Sequence, residues 1–145
     1  MSSDLETFVR EARQAEDYAR FVQAVPYLRF LGLSVRKGAE GPVCVLPADP
    51  KLIGNAQLPA LHGGVIGALL ESAAIIQLIF AAETDTIPKI IDLSVDYLRS
   101  ARPVETFARA TITKHGRRVA NVRAEAWQDD PAKPVAAAHA HFLLG

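Results

Sequence analysis

The sequence predicts an α+β domain in which one long apolar helix packs against a mostly antiparallel sheet of five or six strands, with an extra N-terminal helix. In residues 63–82 Glu71 is the only charged side chain, as in a helix buried in a protein interior. Strand-like segments joined by short turns follow it, a spacing typical of antiparallel hairpins. Residues 4–24 place apolar side chains at helical spacing. Together these patterns indicate a helix-and-sheet core.

Length and composition indicate one domain spanning residues 1–145. The chain has 145 residues, and 50% of them are hydrophobic, which is typical of a globular protein. Lysine plus arginine equals aspartate plus glutamate at 16 each, so nucleic-acid binding through bulk charge is not expected. The single cysteine, Cys44, excludes an internal disulfide and suits the cytoplasm. The N-terminus lacks the apolar core of a signal peptide, so we expect a cytoplasmic protein.

The first half of the chain reads as a helix followed by two strands. Asp4 is a candidate cap for the helix over residues 4–24, and Pro26 is expected to end it. Residues 30–36 and 42–47 read as strands on either side of a glycine turn. Residues 48–61 show turn signals without a clear period, which predicts a loop.

The second half predicts the long helix and the remaining strands. The helix is expected from about residue 63 to 82, followed by a polar break at 83–86. Strands are expected over residues 87–99, 105–114, 117–128 and 135–144. The helix is long enough to span a bilayer, but Glu71 near its midpoint is unfavourable in lipid. We therefore expect no membrane interaction.

The start of the long helix carries the residues most suited to catalysis. Gly63 and Gly64 would present unhindered backbone N–H groups at the positive end of the helix, where they can stabilise an oxyanion. Glu71 supplies a carboxylate that can act as base or nucleophile. These groups suggest acyl transfer, with water or a carboxylate attacking a carbonyl.

The spacing of Gly63 and Glu71 predicts a site shared between subunits. Eight residues separate them, or about 12 Å of helix rise, so one carbonyl cannot contact both groups of the same helix. A twofold dimer with two such helices side by side brings Gly63 of one chain near Glu71 of the other. We therefore expect a homodimer or a homotetramer built as a dimer of dimers, with active sites at the subunit interface.

Several segments resemble the hotdog-fold acyl-CoA thioesterases, in particular their PaaI-like, or phenylacetic-acid-degradation, branch. They are the string LHGGVIGALLESAA from residue 61, the preceding Gly54-Asn55, the segment DLSVDYLR at 92–99, YLRFLG at 27–32 and the ending at 134–143. The resemblance covers nearly the whole chain. It implies a hotdog fold and hydrolysis of an acyl-CoA thioester to a carboxylic acid and free coenzyme A, with no cofactor.

The resemblance also implies roles for individual residues. The acidic residue of the family's central helix falls on Glu71, and its oxyanion-binding amide falls on Gly63. The polar amide side chain before the motif falls on Asn55 or Gln57. The hydroxyl residue that some members carry at the start of the next strand falls near Ile90, which has no hydroxyl; Thr84 and Thr86 are the nearest ones.

Other candidate site residues surround this motif. His62 either takes part in catalysis or holds the loop through hydrogen bonds, and Gly64 is a candidate substrate contact. The phosphates of coenzyme A need cations, and two clusters beside turns are candidates. One consists of Arg99 and Arg102, and the other of Lys114, Arg117 and Arg118.

Other interpretations of the same residues stay open. Glu71 could be a structural acid paired with an arginine. His139 and His141 alternate on one strand face but lack the further ligands of a metal site, so no metal is expected. A hotdog-type hydratase or dehydratase would need a histidine near Glu71. A non-catalytic acyl-CoA binding protein of the same fold is the remaining alternative.

Overall fold

A six-stranded antiparallel sheet around one central helix is the main feature of the computed structural model, which describes residues 2–81 and 86–145. The helices are α1 (Ser2–Gln14), α2 (Tyr18–Ala24), α3 (Pro26–Leu31) and α4 (Gly63–Phe80). The strands are β1 (Ser34–Gly38), β2 (Gly41–Leu46), β3 (Ile53–Asn55), β4 (Ala60–Leu61), β5 (Lys89–Tyr97), β6 (Thr106–His115), β7 (Val119–Trp127) and β8 (Ala136–Leu143). The large sheet has the order β1-β2-β6-β7-β8-β5, and β3 pairs with β4. The predicted α+β class is confirmed.

Small side chains on the inner face of the sheet let α4 pack closely against it. The buried positions of β6, β7 and β8 alternate along each strand, and most are alanine. They include Ala108, Ala110, Ala120, Ala124, Ala126, Ala136, Ala138 and Ala140. On another side of α4, the rings of Tyr18 and Phe21 lie 4.6 and 6.0 Å from that of Phe80. Enclosure on several sides explains why α4 is apolar nearly all round.

The N-terminal region differs from its sequence prediction. The helix expected over residues 4–24 is broken into α1 and α2 because Glu16 adopts a positive φ of 50° and Asp17 caps the next helix by accepting from Arg20 N–H. Asp4 lies in the first turn of α1 instead of capping it. Helix α2 ends at Ala24, just before Pro26, as expected, but Pro26 also begins α3, as proline can at a first helical position.

The strand expected over residues 30–36 is also wrong in its first half. Residues 30–31 belong to α3, which ends at Gly32 in the left-handed conformation (φ 70°), and β1 begins only at Ser34. The segment expected to be a loop, 48–61, contains a 3-10 turn at Pro50–Leu52 and the short pair β3 and β4. Helix α4 ends at Phe80. The polar break expected at 83–86 lies outside the described residues except for Thr86.

The two edges of the large sheet differ in character. β1 is five residues long and carries Arg36 and Lys37, charges that discourage pairing with another strand. β5 is nine residues long and bonds only to β8 within the described sheet. Ile91 and Tyr97 on β5 are each 55% exposed. Although β5 also carries Lys89, Asp92 and Asp96, its length offers another chain a long row of backbone groups for pairing.

Helix α4 is the one described helix long and apolar enough to cross a membrane. It packs against β2, β6, β7 and β8, and half of it is buried inside the protein. These contacts are those of a core helix.

Candidate active site

Close packing and hydrogen bonds fix the turn that begins α4. A Cβ on Gly54 would lie 2.6 Å from His62 Cα, so only glycine fits there. The His62 backbone N–H donates to Leu52 O (2.9 Å), and His62 Nδ1 accepts from Gly64 N–H (2.9 Å). His62 is thus the N-cap of α4, and its side chain holds the loop through a hydrogen bond, the second of the two roles considered for it.

One amide of this turn stays available for a ligand. Gly64 N–H is taken by His62 Nδ1, while Val65 and Ile66 N–H both donate to His62 O. Among the described residues, Gly63 N–H has no acceptor. Tyr97 lies over this residue, and its hydroxyl donates to Gly63 O (2.8 Å). The first turn of α4 is therefore fixed by its contact with Tyr97, and Gly63 N–H remains able to donate to a ligand.

A cavity of about 580 Å³ lies beside this turn, between α4, β5 and the α2–α3 segment. Helix α4 contributes small and apolar side chains together with Glu71, and β5 contributes Leu93, Val95 and Tyr97. Of the apolar residues on α4, Ile75 faces the cavity, whereas Leu70 is in the core. This volume is within the range of small-molecule binding sites.

Glu71 is the only acid among the described residues that line the cavity. Burial raises the pKa of its carboxyl above the usual value of 4.5, because loss of hydration disfavours the charged form. In the described part of the chain, no arginine, lysine or histidine forms an ion pair with it. The arrangement is that of a perturbed carboxylate in a cleft, which is typical of functional sites.

Three described residues that line the cavity carry a hydroxyl group, namely Tyr27, Ser72 and Tyr97, and those of Ser72 and Tyr97 are engaged with α4. Ser72 Oγ donates to Ala68 O (2.7 Å), and the Tyr97 hydroxyl donates to Gly63 O. The hydrogen atoms of these two hydroxyl groups are therefore not available to a ligand, and the rest of the described lining is apolar apart from Glu71 and the exposed Tyr27.

A smaller depression, of about 330 Å³, meets the large cavity at Tyr97, which lines both. It contains Gly63 and Arg99. The neighbouring Arg102 forms an ion pair with Asp129. Arg99 is thus the candidate cation that the structure places beside the start of α4.

The second basic cluster lies at the other end of the sheet. Strand pairing aligns Lys89 with Leu143 and Leu143 with Val119, whereas Tyr97 aligns with Ala136. Lys114, Arg117 and Arg118 adjoin the turn before Val119. About 26 Å of strand separates the two ends, so this cluster is remote from Gly63 of its own chain.

The remaining predicted residues lie in loops or on the sheet exterior. Asn55 Oδ1 accepts from Gln57 and Leu58 N–H (3.0 and 3.2 Å), so its side chain forms a turn, and Gln57 is exposed. Thr86 Oγ1 donates to Leu144 O, Ile90 lies on β5, and Thr84 is outside the described residues.

The histidines and the cysteine take no part in the cavity. His141 Nδ1 lies 2.6 Å from Asp92 Oδ1 on the sheet exterior, and His139 pairs with Ser94 across the strands. Cys44 is fully buried, and burial raises the pKa of its thiol to about 12. It is a core residue.

The comparison with known protein families identifies the same region of the chain. The sequence model of the Thioesterase superfamily matches residues 58–135, which include the turn before α4, Glu71 and β5 to β7. The chain belongs to this superfamily. The chain is 30% identical to the medium/long-chain acyl-CoA thioesterase YigI of Escherichia coli, over 86% of its own length and 89% of that protein.

Solved structures share the architecture. A Chromobacterium violaceum protein is 46% identical, with a TM-score of 0.77 and coverage of 94% of this chain and 96% of that one. The phenylacetic acid degradation protein PaaI of Thermus thermophilus is 24% identical, with a TM-score of 0.67 and coverage of 82% and 98%. The resemblance to the thioesterase superfamily is confirmed, the PaaI structure shares the fold, and the protein is a thioester hydrolase.

Three features of the site were not predicted from the sequence. The Tyr97 contact with Gly63 joins residues 34 positions apart, and no local pattern indicates such a contact. The steric need for Gly54 depends on its distance from His62. The contribution of α2 and α3 to the cavity was missed because it depends on their contacts with α4 and β5, which are distant in sequence.

Proposed function

We propose that the protein hydrolyses acyl-CoA thioesters to a carboxylic acid and free coenzyme A. The observation that carries the proposal is the Gly63 N–H, which has no acceptor among the described residues, beside an apolar cavity whose one described acid, Glu71, has a raised pKa. The acyl-CoA thioesterase relative in Escherichia coli supports the substrate class. The roles of the other site residues follow from this arrangement.

In the proposed reaction, Gly63 N–H donates to the carbonyl oxygen as negative charge develops on it. Glu71 either removes a proton from the attacking water or attacks the carbonyl carbon itself. In the second case the product of thiolate departure is an anhydride between the acyl group and Glu71, which water then hydrolyses to the carboxylic acid and free Glu71. When the tetrahedral intermediate collapses, the C–S bond breaks and the thiolate of coenzyme A leaves. A thiol has a pKa near 8.5, so this departure needs little acid assistance. His62 and Gly64 hold the turn that carries the donor, and Asn55 holds the loop that precedes it.

The two reacting groups come from different subunits in this proposal. Gly63 and Glu71 are eight residues apart on one rigid helix, about 12 Å, so they cannot meet on a single carbonyl. Pairing of two β5 edges about a twofold axis is antiparallel and buries Ile91 and Tyr97, which are exposed in the single chain. The expected homodimer, or dimer of dimers, thus has its active sites at the subunit interface.

The same pairing supplies cations for the phosphates of coenzyme A. Antiparallel β5 edges place the Lys89 end of one chain beside the Tyr97 end of its partner. The basic turn with Lys114, Arg117 and Arg118, remote from Gly63 in its own chain, then lies near the Gly63 end of the other. Arg99 adds a cation from the same chain as Gly63.

Incubation with a panel of acyl-CoAs, with release of free thiol as the readout, tests the proposal. We expect thiol release that falls by at least roughly 100-fold in Glu71→Gln and Glu71→Ala, as for loss of a general base. Glu125→Gln is the matched control, since Glu125 alternates with the buried positions of β7 and so lies on the exterior of the sheet. Equal losses in both glutamine variants would contradict the assigned role of Glu71.

The same experiment separates the alternative functions. Hydration of an enoyl-CoA without thiol release would favour a hydratase, although no histidine is present among the described residues lining the cavity. Tight binding without turnover would favour a binding protein. A measured mass of one chain at micromolar concentration would contradict the shared site.

A further inference from the structure

The α2–α3 segment forms a wall of the large cavity that the catalytic region does not supply. Phe21, Val25, Tyr27 and Leu28 line the cavity, and all four precede residue 58, where the match to the Thioesterase superfamily begins. The chemical groups and the wall therefore come from different parts of the chain. Variation in the wall can change what the cavity accepts without moving Gly63 or Glu71.

The exposure of the lining residues shows which end of the cavity is closed. Tyr27 and Tyr97 are 51% and 55% exposed and mark the opening, whereas Phe21 and Leu28 are 2% and 7% exposed. Phe21 is also held by its edge-to-face contact with Phe80. The deep end is thus made of fixed hydrocarbon side chains from α2 and α3.

The chemistry of the deep end is entirely apolar. The hydroxyl hydrogens of Ser72 and Tyr97 are committed to α4 carbonyl oxygens, and Phe21, Val25 and Leu28 carry no polar side-chain atoms. A polar group on the tail of a substrate that reaches Phe21, Val25 and Leu28 would lose its hydration without gaining a partner from these side chains, and such a loss is costly.

We propose that Phe21, Val25 and Leu28 form the wall that selects the acyl tail, and that this wall accepts an unsubstituted hydrocarbon tail and rejects one with a terminal hydroxyl group. The inference rests on the proposed function, because it concerns the acyl half of the same thioester. Each methylene added to the tail should raise kcat/KM by about fourfold until the tail reaches the wall. Beyond that length kcat/KM should fall.

The test uses straight-chain acyl-CoAs of increasing length, with the full-length protein and thiol release as the readout. Val25→Ala removes two methyl groups from the wall, so the preferred tail should lengthen by about two carbons, and the ratio of kcat/KM for the longer over the shorter substrate should rise by about 16-fold. Val22→Ala is the matched control, because Val22 is buried on α2, three residues before Val25, but does not line the cavity. Its length profile should match that of the unmodified protein.

A second measurement needs no variant. At the preferred length, an acyl-CoA with a terminal hydroxyl should show kcat/KM about 10- to 100-fold below that of the plain acyl-CoA. Unchanged length profiles in Val25→Ala, or equal rates for the two tails, would overturn the inference while leaving the hydrolase proposal intact. Absence of thiol release from every acyl-CoA would instead contradict the proposed function, and this inference with it.

Discussion

Replacement of Gly63 by proline removes the proposed oxyanion donor with little disturbance of the fold. Gly63 is the first residue of α4, a position where proline is favoured and the lost N–H has no helical partner. Proline also requires an extended residue before it, and His62 has φ −64° and ψ 132°. Since Gly63 N–H has no acceptor among the described residues, Gly63→Pro breaks no hydrogen bond that the protein itself makes there.

The expected loss of kcat is about 10²- to 10³-fold, the effect of removing one oxyanion donor, or about 2.7–4 kcal/mol of transition-state stabilisation. Gly63→Ala is the control, because it keeps the N–H and its Cβ would lie 3.4 Å from the Tyr97 ring, an ordinary contact. It should retain most of the activity. Thiol release gives kcat, and circular dichroism with thermal unfolding reports the fold. A folded Gly63→Pro variant with unchanged kcat would refute the reasoning.

Three further predictions follow from the site and the core. Burial raises the pKa of Glu71 above 4.5, so the charged carboxylate destabilises the folded state once the pH exceeds that raised value. Glu71→Gln should therefore increase the unfolding temperature at pH 8 and not at pH 4. An unchanged unfolding temperature at pH 8 would contradict the burial argument. Gly54→Ala places a Cβ 2.6 Å from His62 Cα and should lower both stability and thiol release, whereas a well-folded, fully active variant would show that the turn can move. Cys44, with a pKa of about 12, should react with a thiol reagent at pH 8 only after unfolding; rapid labelling of the native protein would contradict its burial.

The sequence predicted those parts of the fold that local patterns determine. The apolar run around Glu71 and the alternation in the last strands depend on neighbouring residues, and the structure confirms the central helix and the six-stranded sheet. Breaks within helices were harder to predict. The positive φ of Glu16 occurs where α1 and α2 pack together, and no glycine or proline marks the position. The α3 segment was misread because its apolar residues fit either a strand or a short helix.

The site was predictable only as far as it lies on one element. Gly63, Glu71 and His62 are near each other in the chain, and their spacing led to the expectation of a shared site. Tyr97 acts through a contact with a residue 34 positions away, and Gly54 acts through the close approach of its backbone to that of His62. Their positions depend on the register of β5 and on the path of β3, neither of which the sequence pattern determines.

Subunit mixing tests the shared site most directly. Glu71→Gln and Gly63→Pro chains are unfolded together and refolded in equal amounts, so that about half of the dimers contain one chain of each kind. If Gly63 and Glu71 act across the interface, each mixed dimer has one intact site, and thiol release should recover to about a quarter of that of the unmodified protein. Recovery no greater than that of the separate variants, with mixed dimers shown to be present, would contradict the shared site.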